Sequence, residues 1–255
     1  MTLAKTVYRF FACGFPLFTY NPFTQNSIYS SFDVRPKSTY VNYKLNDLQV
    51  NKLKNYLNEN TNDLKLKKIF LENEQKTKDF FISVNIYNCT SPLFTIFNSD
   101  NIARCEINTY ITDKNKEYGT LIMDYSSNFL SMDPVNIFKI PLRTEYNRIN
   151  NLIDCNVIGK NFKFDLSYKV LKNNKLFNMN EELHSFSDKI FYPNGIYDKL
   201  YYDSSLVQCI AKIPKNIYNI NFEFLGIKFD EPDSIFYFEN ELRFAGSMWN
   251  NIYDT

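Results

Sequence analysis

Four acidic residues, Glu106, Asp124, Asp165 and Glu223, stand in or beside apolar segments that read as β-strands. A carboxyl group taken into an apolar setting has its pKa raised and can serve as a general acid or base near neutral pH. In Glu106-Ile107-Asn108-Thr109-Tyr110-Ile111 the polar residues fall at every second position, so Glu106, Asn108 and Tyr110 share one side of a strand. In Thr120-Leu121-Ile122-Met123-Asp124-Tyr125 the same period sets Asp124 on the side of Thr120 and Ile122. Such residues would line a polar cavity inside a closed sheet. They would form a solvated outer face on an open one, and alternation leaves both readings open.

Other chemistry is thinly represented. Phe191 to Tyr202 runs from a Pro193-Asn194-Gly195 turn into an aromatic strand carrying Asp198 and Lys199. Its tyrosines suit either a small hydrogen-bonding ligand or the cover of a core, and the second reading is favoured. The single histidine, His184, lies in the polar stretch Asn180 to Ser185 with no nucleophile motif beside it, and reads as a surface residue. Six glycines, none grouped as a phosphate-cradling loop, give no nucleotide motif. Asp198, Asp203 and Glu181 have no metal-ligand spacing, so neither a metal nor a cofactor is expected.

The five cysteines, Cys13, Cys89, Cys105, Cys155 and Cys209, are odd in number and scattered. That argues against a disulfide scaffold or a zinc site and for a reducing, cytoplasmic setting. A net charge of +1 provides no field to draw in nucleic acid. The apolar run Thr6 to Tyr20 is broken by Arg9 and Pro16 and is too short for a membrane span, so no signal peptide, transmembrane helix or membrane partner is expected.

The elements that must position these residues are mostly strands. Aromatics make up 17% of the chain, with 24 Phe and 19 Tyr, a composition that suits half-buried pleated surfaces. Residues 1–40 read as an irregular N-terminal segment packed on a single domain spanning 1–255. A helix is predicted over about 47–58, with Asn46 or Asp47 as its cap and Val50, Leu53 and Leu57 on one face. Strands are predicted over 64–71, 80–87, 162–171, 206–213 and 222–229, with a hairpin joining 106–111 to 120–125. A second hairpin is predicted across Glu239-Asn240. No strand-helix alternation suits a parallel sheet, so the class is α+β, dominated by a large antiparallel sheet.

Phe80 to Asn88, then Glu106 to Ile111 and Gly119 to Asp124, resemble the early strand and central hairpin of acetoacetate decarboxylase-like proteins. The resemblance covers about residues 78–145 and, weakly, 190–245. It implies a curved, mostly antiparallel β-cone or barrel with few helices. In the decarboxylases of that family a lysine in a Pro-Lys-Lys stretch after the hairpin forms a Schiff base with a ketone. Here the matching stretch is Phe138-Lys139-Ile140-Pro141-Leu142-Arg143, with Leu142 in the lysine's place. Arg143 stays protonated and is not nucleophilic. The resemblance thus implies a non-catalytic or catalytically altered, regulatory protein that binds a small organic ligand or a protein partner. Its expected ligand-binding residues are Glu106, Asn108, Tyr110, Asp124 and Arg143, the last either gripping a carboxylate or forming a surface ion pair. The alternative is a Schiff-base enzyme acting on a small keto acid through Lys139.

Overall fold

The computed structural model describes residues 30–34, 38–61, 63–71, 75–90, 102–129, 140–170, 176–177, 188–193, 196–202, 210–212, 217–238 and 242–251. Their strands are β1 (Ser30–Val34), β2 (Ser38–Lys44), β3 (Lys65–Leu66), β4 (Phe81–Thr90), β5 (Ile102–Thr112), β6 (Tyr118–Ser127), β7 (Thr144–Ile149), β8 (Leu152–Ile158) and β9 (Phe162–Lys169). They continue with β10 (Leu176–Phe177), β11 (Lys189–Phe191), β12 (Ile196–Tyr202), β13 (Ile210–Lys212), β14 (Ile217–Phe224), β15 (Ile227–Phe229), β16 (Ser234–Phe238) and β17 (Leu242–Asn251). One helix, α1 (Asp47–Asn60), follows β2. No helix among the described residues is long and apolar enough to cross a membrane.

The strands form a 12-stranded sheet and a 5-stranded sheet, the latter in the order β15-β14-β9-β8-β7. In the large sheet β4 pairs with β2, β1 and β5, and the pairings run β4-β1-β17-β12-β11-β6-β5 and back to β4. Two of these contacts are short. β1 meets β4 at Asp33↔Thr90 and Val34↔Cys89, and β11 meets β6 at Ile190↔Thr120 and Phe191↔Leu121. The sheet is therefore strongly curved, not an evenly closed barrel. The β11–β6 contact is parallel, and it needs Gly119: a Cβ there would lie 2.5 Å from the Lys189 carbonyl oxygen and 2.6 Å from the Phe191 ring.

Alternation decides what each face meets. One face of β2, β4 and β5 carries Val41, Tyr43, Ile82, Val84, Ile86, Cys105 and Ile107, which pack with α1 and with Tyr146, Cys155, Phe164, Tyr168, Phe222 and Phe224 of the small sheet. Two tyrosines pin the layers together: Thr39 Oγ1 lies 2.6 Å from the Tyr168 hydroxyl and 3.2 Å from that of Tyr146. Burial raises the pKa of both phenols, so they stay neutral hydrogen-bonding groups.

The helix begins where a capping box can form. The Asn46 side chain accepts from the Gln49 N–H at 3.0 Å, and the Gln49 side chain accepts from the Asn46 N–H at 2.9 Å. Asn46→Ala is expected to cost about 1 kcal/mol in denaturant unfolding. Val50, Leu53 and Leu57 are buried, as the sequence spacing predicts.

Several sequence expectations change. The segment 1–40 is not irregular at its end, because β1 and the start of β2 are strands on either side of 35–37. Residues 1–29 lie outside the described residues. The strand expected over 64–71 shrinks to β3 plus an Ile69↔Asp79 bridge. The segment 222–229 is a hairpin, turned by Leu225 and Gly226 with φ of 52° and 68°. Finally, β16 and β17 do not pair across Glu239-Asn240. β16 lies between β13 and β2, whereas β17 lies between β1 and β12.

Candidate functional site

The face of β2, β4 and β5 that turns away from the small sheet is buried as well, and it is polar. Register brings Asn85 opposite Glu106, Tyr87 opposite Arg104, and Ser83 opposite Asn108. On the other side of β4, Tyr40 faces Asn85 and Asn42 faces Ser83. Two hydrogen-bonded groups result.

The first is charged. Glu106, 7% exposed, accepts at Oε1 from the Tyr87 hydroxyl at 2.7 Å and from Arg104 Nε at 2.6 Å. The Arg104 guanidinium also lies over the Tyr125 ring, 4.3 Å from its centroid. Charge pairing and the ring face together compensate a cation held largely out of water. Burial first, and then the Glu106 charge, push the Tyr87 phenol well above its ordinary pKa, so it stays a donor.

The second group is neutral. Ser83 Oγ donates to Asn42 Oδ1 at 2.6 Å and lies 3.2 Å from the Tyr110 hydroxyl. Asn42 Nδ2 continues to Ser234 Oγ at 3.2 Å. Asn108 Nδ2 donates to the Tyr40 hydroxyl at 3.4 Å, whereas Asn108 Oδ1 is buried with no hydrogen-bond partner among the described residues. Burial pushes the Tyr110 phenol up to about 12. It also raises Tyr40, with the Tyr110 and Glu106 charges adding to the shift.

No family model and no curated protein matches the sequence. Solved structures do match in shape. Acetoacetate decarboxylase from Legionella pneumophila superposes with a TM-score of 0.52 at 8% identity, over 87% of this chain and 88% of that one. An acetoacetate decarboxylase-like enzyme from Sphingomonas wittichii gives 0.52 at 9% identity, over 88% and 92%. The enduracididine biosynthesis enzyme MppR gives 0.52 at 6% identity, over 88% and 87%. The chain has the acetoacetate decarboxylase-like fold. In this decarboxylase-like fold the small sheet and α1 cover the apolar face of β2, β4 and β5, so the polar face, buried on the opposite side, is the inner one of the ring of pairings that runs from β4 round to β5.

Of the residues singled out from the sequence, Glu106, Asn108 and Tyr110 stand together on that face, all buried. Asp124 does not join them. A bulge sets Ile107 opposite Asp124 and Asn108 opposite Ile122, so Met123 is the extra residue and Asp124 faces away from Ile122. Its Oδ2 accepts instead from Asn161 N at 3.2 Å and Nδ2 at 3.1 Å, tying β6 to the β8–β9 turn. Arg143 is exposed and forms the surface ion pair that was the other reading of it, with Nε 3.2 Å from Glu145 Oε1. Leu142 is half-buried between exposed Pro141 and Arg143, on the approach to the small sheet. Lys139 lies outside the described residues.

Tyr87, Arg104, Asn85, Ser83, Tyr40 and Asn42 were missed. The signal was present: Ser83, Asn85 and Tyr87 alternate with Ile82, Val84 and Ile86, and Arg104 stands two before Glu106. A polar side of a strand reads as solvent-facing until the sheet is known to curl. Asp165 and Glu223 sit on the small sheet, Asp165 half-buried beside Asn156 and Glu223 exposed.

Proposed function

We propose that this decarboxylase-like chain is a cytoplasmic binding protein, non-catalytic or catalytically altered, that holds a small organic molecule on the inward face of its curved sheet. One observation carries the reading: beside buried Phe81, Ile122, Phe236 and Phe238, the inward face holds a connected set of tyrosine, asparagine and serine side chains around a Glu106–Arg104 pair. A purely structural core would fill that space with apolar side chains, because each buried polar group must otherwise be matched by hydrogen bonds.

The chemistry of a Schiff base argues in the same direction. It needs a lysine amine that is neutral near pH 7 and in reach of the substrate carbonyl. The one buried lysine among the described residues is Lys189. It ion-pairs with Glu117 and lies over the Phe191 ring, on the side facing the apolar core. A second reading, a Schiff-base enzyme using Lys139, is favoured by the neighbours themselves, which are described as enzymes; one of them is MppR complexed with pyruvate.

One experiment separates the two. The chain is incubated with pyruvate or acetoacetate, with and without sodium cyanoborohydride, and examined by ligand-observed NMR and intact mass. Binding in the NMR experiment without a covalent mass increase is the expected result. A reduced adduct mapped to Lys139 moves the chain to the enzyme reading. No binding by any member of a small carbonyl panel overturns the ligand-binding reading altogether.

A further inference from the structure

The charged and neutral groups on the inward face are separated along β5, and the separation bears on which ligand group fits where. Asn108 is 2% exposed. Its Nδ2 makes one long bond to Tyr40, and its Oδ1 has no partner among the described residues. Turning the amide over does not cure this, because the two ends exchange places and one remains unmatched. Leaving a buried amide end unmatched is costly, so such an atom is a place where a ligand group can compensate.

The surroundings set the charge of that group. Tyr40 bonds to Asn108, and Ser83, opposite Asn108 on β4, links to Asn42 and to the Tyr110 hydroxyl; all four are neutral. Glu106 is two residues away on the same face, about 7 Å along the strand at a rise of ~3.4 Å per residue. Arg104 is four residues away along β5, but its Nε lies 2.6 Å from Glu106 Oε1, so the two opposite charges sit together. A carboxylate seated at Asn108 would therefore gain little net attraction from the pair, and as an acceptor-only group it could not match Asn108 Oδ1. The cation is already spent on Glu106 at 2.6 Å.

We infer that Asn108, with the Tyr110 and Tyr40 hydroxyls beside it, forms a subsite for an uncharged carboxamide or hydroxyl group and discriminates against a carboxylate. Either group both donates and accepts, so it matches whichever end of the Asn108 amide faces it. The inference rests on the reading that the inward face binds a small molecule. It goes further by stating that the ligand's recognised end is neutral.

Acetoacetamide and acetoacetate form a matched pair of probes, alike in shape and different in charge. Dissociation constants are measured by ligand-observed NMR on the full chain, wild type and two variants. Acetoacetamide is expected to bind at least tenfold tighter than acetoacetate. Asn108→Leu, nearly the same shape, should weaken acetoacetamide at least tenfold. Tyr110→Phe removes one hydroxyl only and should weaken it about threefold, which keeps the test valid if the leucine variant fails to fold. Equal or tighter binding of acetoacetate, or acetoacetamide binding that neither substitution changes, overturns the subsite while leaving the ligand-binding face standing. Failure of both probes in a folded chain overturns the two together.

Discussion

Replacing Phe222 by alanine is expected to lower the unfolding free energy by about 3–5 kcal/mol, among the largest losses any single core substitution could cause here. Phe222 is fully buried on β14, in the small sheet. Its ring stacks on Phe229 with centroids 4.7 Å apart and meets Phe164 edge-on at 6.1 Å. From the large sheet Tyr43 of β2 reaches it at 5.1 Å. The ring is therefore shared by both layers. Its loss leaves a cavity lined by strands that are hydrogen-bonded in their own sheets and cannot collapse freely into it. Guanidinium or urea titration measures the effect as a shift of midpoint at unchanged slope. A loss under about 1 kcal/mol would mean that the layers are held together elsewhere.

Glu106→Leu is expected to be nearly as damaging, at about 3 kcal/mol, for a different reason. It removes the carboxylate from a guanidinium whose side chain is only 16% exposed, and it also takes the acceptor of the Tyr87 hydroxyl. The cost is that of stranding a charge, not that of losing an attractive pair. A second substitution should therefore recover stability. With Arg104→Met added, the double variant should be more stable than Glu106→Leu alone, because no largely buried cation has then lost the carboxylate beside it. If the two losses simply add, Glu106 and Arg104 act independently and the pair does not organise the inward face.

These two substitutions probe what lies on opposite sides of β2, β4 and β5. The face of β2, β4 and β5 toward the small sheet is apolar and holds the layers together. The face turned into the curve is polar and carries the candidate site. Period-2 alternation in one set of strands serves both purposes: the small sheet and α1 cover the apolar face, and the curl of the large sheet encloses the polar one.

The sequence by itself determined much of the local structure. The capping pair Asn46 and Gln49 with Val50, Leu53 and Leu57 specifies α1. Alternation specifies β4, β5 and β6, and puts Glu106, Asn108 and Tyr110 on one side of a strand. These features depend on neighbours a few residues apart, so they are written in short stretches of chain.

What only the tertiary structure decided depends on partners far apart in the chain. The bulge at Met123 turned Asp124 from the side of Ile122 toward Asn161, and no residue type near 123 announces it. β16 is separated from β17 because β13 and β2 occupy its two edges. Whether Ser83, Asn85, Tyr87 and Arg104 meet solvent or a shared interior was settled only by the way β4 pairs round to β5 through β1, β17, β12, β11 and β6. A strand states which side chains share a side. Whether that side is wet or enclosed is a property of the whole sheet, set by long-range pairings whose closure no local pattern encodes.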